Sequence, residues 1–101
     1  MQEYSIYWTE TFKVIFEHAE LAEQRWILKM EQQLKSNPYG KILRYSWFRE
    51  KKFGDKRLYF LVEESQKKIL FVRFGNKKDQ ASDMTTILRN MHPLLAFLKN
   101  L

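Results

Sequence analysis

The chain has 101 residues, 45% hydrophobic and 16% aromatic, enough apolar material for one core and too much for a disordered segment. Eighteen Lys and Arg against twelve Asp and Glu give +6, and no cysteine is present. Disulfide frameworks, thiol catalysis and cysteine-ligated metal sites are thereby excluded. With three glycines, no G-x-x-x-x-G-K or G-x-G-x-x-G loop occurs. No apolar run has the length of a membrane span, and the start, MQEYSIYWTE, does not read as a signal peptide. The expectation is one domain over residues 1–101, cytoplasmic, with no membrane association, metal or cofactor.

Tyr4 to Trp8 alternates and is rich in β-formers, which predicts a short strand. Thr9 or Thr11 can cap the helix that follows, with Glu10 beside its free amide groups. Phe12, Ile15 and Phe16, then Leu21, Trp26, Met30 and Leu34, recur at helical spacing. His18-Ala19-Glu20 is read as the turn of a helical hairpin. Pro38 and Gly40 end the helical stretch.

Residues 42–49 are predicted as a strand and residues 50–56 as a polar connection turning at Gly54-Asp55. Residues 58–62, apolar throughout, form a central strand. Residues 64–68 form a hairpin loop, and residues 69–74 a third strand interrupted by Arg73. Helical period returns after Asp79, with Ser82 as N-cap and Met84, Ile87, Leu88, Met91, Leu95 and Leu98 on one stripe. Pro93 breaks or kinks that segment, with His92 at the joint. The sum is an α+β fold with helices on one face of a curved sheet. It comprises an antiparallel β-meander, an N-terminal strand with a helical hairpin, and a C-terminal helix.

The charge is concentrated. Residues 35–79 hold thirteen basic and five acidic side chains. Such a field attracts polyanions, nucleic acid first. Arg44, Tyr45, Trp47, Phe48, Arg49, Lys51, Lys52, Phe53, Lys56, Arg57 and Tyr59 mix cations for phosphates with aromatic faces for bases. The same rings are also core material. Arg57 and Arg73, inside apolar runs, need a phosphate, water or a carboxylate, with Asp55 and Asp79 the nearest acids. Glu63-Glu64 point to opposite faces of a strand and so do not form a carboxylate pair. His18 and His92 stand in no metal-binding spacing. A Lys/Arg cluster suits RNA cleavage by the 2′-hydroxyl, because the phosphorane gains charge that cations stabilise.

The helical hairpin closing on S-N-P-Y-G, the stretch G-D-K-R-L-Y-F, and I-L-F-V-R-F-G-N-K-K-D resemble the RelE/ParE toxin superfamily. The resemblance implies a toxin neutralised by an antitoxin protein. RelE-like members enter the ribosomal A site and cut mRNA. It implies Arg57, Lys51 and Lys52 as catalytic residues, with His92 as a candidate acid. Lys77, Lys78, Arg49, Lys56 and Arg73 are expected to bind RNA. In many active members a tyrosine or histidine follows the last strand; here the stretch is Asp79-Gln80-Ala81-Ser82-Asp83. The alternatives left open are a ParE-like inhibitor of DNA gyrase and a non-catalytic binding module for RNA or protein.

Overall fold

The computed structural model describes residues 3–101. Strand β1, Ser5–Trp8, leads into α1, Glu10–His18. Thr9 caps α1: its Oγ1 accepts the Phe12 amide at 3.0 Å. Helix α2, Leu21–Ser36, starts at a reciprocal capping box between Glu20 and Glu23. It ends just before Pro38, which disfavours helix in the preceding residue.

Strands β2 (Lys41–Ile42), β3 (Phe48–Phe53), β4 (Lys56–Glu63) and β5 (Lys68–Asn76) follow. A 3₁₀ turn, Lys77–Asp79, joins β5 to α3 (Gln80–Arg89), and α4 (Met91–Lys99) ends the fold. The sheet order is β1-β5-β4-β3-β2. β2 to β5 pair antiparallel and β1 lies parallel to β5. Gly54, at φ 57, supplies the positive φ of the β3–β4 turn.

Strand alternation divides the sheet into two apolar faces. Leu58, Phe60, Val62, Ile69 and Phe71 pack against Phe12, Ile27, Met30 and Leu34 of the helical hairpin. Phe48, Tyr59, Leu61, Leu70 and Val72 pack against Ile87 of α3 and Leu98 of α4. The α+β class, the N-terminal strand, the hairpin on one face and the central position of β4 are as the sequence predicts. The C-terminal helices, however, cover the opposite face, so the sheet is buried on both sides.

Three local expectations change. The strand expected over 42–49 is a two-residue edge strand and a turn, and the expected polar connection 50–53 belongs to β3. The charged residues Arg49 to Lys52 are consecutive there, so their side chains alternate between the two faces. Helix α3 begins at Gln80 rather than at Ser82, whose hydroxyl instead donates to the Asp79 carbonyl. The C-terminal helix breaks at Asn90, not at Pro93. Pro93 stands in the first turn of α4, where no intrahelical amide bond is lost.

Candidate nucleic-acid interface

The face toward α3 is apolar along most of its length and polar at the β3–β4 turn. Two register rows make the change. Lys52 lies opposite Arg57, which lies opposite Gly75; Glu50 lies opposite Tyr59, which lies opposite Arg73. Residues two apart on a strand share a face, so both rows look toward the start of α3.

Two side chains pin α3 there. Gln80 Nε2 donates to Glu50 Oε2 at 2.8 Å, spanning β4. Arg73 Nε donates to Asp83 Oδ1 at 2.5 Å in an ion pair whose aspartate is buried. Asp83 comes so close to the sheet that a Cβ on Gly75 would lie 2.6 Å from its Oδ2. A side chain at 75 would therefore force the Asp83 carboxylate to shift. The expected partners of Arg57 and Arg73, Asp55 and Asp79, are replaced. Arg73 finds Asp83 one helical turn further on. Arg57 Nη1 donates to the Gly54 and Lys56 carbonyls, each at 3.0 Å.

The floor of the site is thus a buried polar cluster. Glu50 is 2% exposed, Arg57 5% and Tyr59 fully buried. Glu50 Oε1, Arg57 Nε, Tyr59 Oη and Asp83 Oδ2 have no hydrogen-bond partner. Burial, reinforced by the charges of Asp83 and Glu50 and opposed by Arg57 and Arg73, pushes the Tyr59 hydroxyl up to about 12. The rim is basic. Lys52 is exposed beside Arg57, and Lys77 and Lys78 line an open basin of about 540 Å³ with Asp55 and Asn76. The Lys77 amide donates to the Asp55 carbonyl at 2.6 Å, tying this basin to the β3–β4 turn.

The sequence-predicted residues separate accordingly. Lys52, Arg57, Lys77, Lys78 and Arg73 gather near the turn and the start of α3. Lys51 does not join them: it pairs with Leu58, whose side chain enters the opposite core, so Lys51 and Lys52 point to opposite faces. Lys56 also turns away, with Nζ 3.6 Å from Glu23 and 5.8 Å from the Phe74 ring centre. Arg49 spends its guanidinium internally. It donates to the Ser46 carbonyl at 2.8 Å, the Pro38 carbonyl at 2.7 Å and Glu64 at 2.8 Å. His92 is exposed on the first turn of α4, beyond the Asn90 break.

Sequence reasoning missed Glu50, Gln80 and Asp83, and named Tyr59 only among aromatic faces for bases. Glu50 has one available signal: with the β3 register known, it falls on the inward-facing row. No group of three or more metal-ligating side chains occurs among the described residues. No helix there is long and apolar enough to cross a membrane.

No protein-family model and no curated protein matches the sequence. Solved structures do match. The toxin–antitoxin complex RelBE2 from Mycobacterium tuberculosis aligns with TM-score 0.65 and 17% identity, over 75% of this chain and 93% of that one. A mutant of the Escherichia coli toxin RelE in the free state aligns with TM-score 0.70 and 13% identity, over 85% and 93%. The likeness establishes a RelE-like fold.

Proposed function

We propose that the protein is the toxin of a toxin–antitoxin pair and cuts mRNA on the ribosome. One observation carries the reading. On a RelE-like fold, the Lys52–Arg57 row and the Lys77–Lys78 turn both lie at the β3–β4-turn end of the sheet. Four cations at one end of the sheet suit a phosphodiester backbone. The neighbour solved as a toxin–antitoxin complex supports an antitoxin as partner.

In this reading the RNA supplies its own nucleophile. The 2′-hydroxyl loses its proton to water and attacks the adjacent phosphorus, and the 5′-oxygen leaves with a proton from water, so that a 2′,3′-cyclic phosphate remains. Arg57 stabilises the charge that develops on the phosphorane, while Lys52, Lys77 and Lys78 hold the flanking phosphates.

A second reading, a non-cleaving RNA-binding module, is favoured by the burial of Arg57 and by its bonds to two backbone carbonyls. Inhibition of gyrase is the third. Adding the purified protein to a reconstituted translation reaction and, separately, to a gyrase supercoiling reaction tests all three. The toxin reading expects loss of protein synthesis with supercoiling intact. Supercoiling lost with translation intact selects the gyrase reading, and both intact selects the module.

A further inference from the structure

Where β3 begins, the chain builds a second surface. No acidic residue occurs between Glu31 and Glu50, and the stretch carries Tyr39, Lys41, Arg44, Tyr45 and Trp47. Tyr39 is 73% exposed, Tyr45 38% exposed, and Ile42 is exposed as well. β2, within this stretch, is an edge of the sheet.

The rings form a ladder. The Tyr45 and Trp47 centroids lie 5.0 Å apart at 8°. Trp47 stacks in turn on buried Phe48, at 6.0 Å and 21°. The Arg44 guanidinium lies 5.9 Å from the Tyr45 ring centre. A stack of planar groups thus runs from the core to the surface and ends in a cation.

Its shape is set by internal bonds. The Phe48 amide donates to the Tyr45 carbonyl at 2.9 Å, and the Val62 amide to the Trp47 carbonyl at 2.8 Å. Arg49, with its three acceptors, fastens the Pro38 loop, the Ser46 turn and the β4–β5 hairpin together. Rings held in place in advance lose little freedom when a ligand stacks on them.

Unpaired bases stack on aromatic rings and on arginine planes, and their phosphates need nearby cations. This surface offers all three. A peptide strand adding to the edge is a poorer occupant, because β2 is only two residues long. We propose that Lys41, Arg44 and Tyr45 form a binding site for single-stranded RNA, held in shape by Arg49. Bases stack at the Arg44–Tyr45 end of the ladder and phosphates contact Lys41. The proposal rests on the reading of the protein as RNA-directed; Arg44 and Tyr45 are separate from the Lys52–Arg57 row, and Lys41 lies opposite Glu50 in the neighbouring row.

The test is fluorescence anisotropy with a fluorescein-labelled single-stranded oligoadenylate and, as control, a duplex of the same length. The wild-type protein binds the single strand more tightly than the duplex. Tyr45→Leu weakens single-strand binding about tenfold, the scale of one lost stacking contact. Tyr45→Phe, which keeps the ring, stays near wild type. Lys41→Ala lowers the salt slope by about 0.7. Near-UV circular dichroism confirms that each variant folds, and Arg44→Ala gives an independent loss of binding should Tyr45→Leu not fold. Wild-type affinity in folded Tyr45→Leu, equal affinity for the duplex, or no binding by the wild type would overturn the proposal. So would self-association abolished by Ile42→Lys in a protein that binds no RNA. The assay uses no ribosome, so its failure and a failure of mRNA cleavage are read separately.

Discussion

Asp83 reaches down from α3 to Arg73 and, in doing so, occupies the space a side chain on residue 75 would need. An ion pair and a glycine are thereby coupled across the junction of helix and sheet. Asp83→Ala leaves Arg73 without its partner. Because Arg73 is partly exposed, it recovers some hydration, and the expected loss is about 2 kcal/mol. Gly75→Ala costs about 1–3 kcal/mol through the clash with Oδ2. Urea denaturation of both variants and of the double variant checks the coupling. In the Asp83→Ala background the cost of Gly75→Ala falls close to zero, because the colliding oxygen is gone.

Tyr59 gives a pH prediction with a definite sign. Its hydroxyl is raised from 10.0 to about 12, with burial the first cause. Between those values the unfolded chain releases the phenolic proton and the folded chain keeps it. Stability associated with this group is therefore complete below pH 10 and declines as pH rises toward 12. Ultraviolet titration of phenolate absorbance shows one late-ionising tyrosine in the folded protein, absent from Tyr59→Phe. Ionisation of Tyr59 together with the exposed tyrosines would contradict the burial argument.

Lys51 and Lys52 are neighbours in sequence on opposite faces of β3. Lys52→Ala reduces RNA binding at the Arg57 edge and lowers the salt slope by about 0.7, one phosphate contact. Lys51→Ala stays close to wild type. Binding curves for the two variants over a salt series make the comparison. Equal effects from both would mean that face does not matter and that the interface is a diffuse field.

Much of the fold was legible because its signals are local. Thr9 announces a helix start, His18-Ala19-Glu20 a break, and the apolar run 58–62 a strand buried on both faces. β3 was misread because Glu50, Lys51 and Lys52 look like loop residues. Glu50 is tolerated inside only because Gln80, thirty residues later, hydrogen-bonds it. The partner of Arg73 was missed for the same reason: Asp83 becomes a neighbour only once α3 folds back over the sheet. Within the site, Arg57, Lys52, Lys77 and Lys78 stood out by type and order. Tyr59 stood out only as an aromatic face, since an aromatic residue in an apolar strand carries no sign of the buried polar row it joins. Arg49 shows the converse: a cation suited to phosphate by type is committed to three internal acceptors.

Primer extension on an mRNA in a purified translation system, with wild-type protein and Arg57→Ala, tests the central claim most directly. The account predicts cuts within A-site codons for the wild type, dependent on ribosomes. It predicts their loss in Arg57→Ala, whose thermal unfolding confirms a folded chain. Cuts at wild-type rate in folded Arg57→Ala, or no cuts from the wild-type protein on active ribosomes, would contradict it.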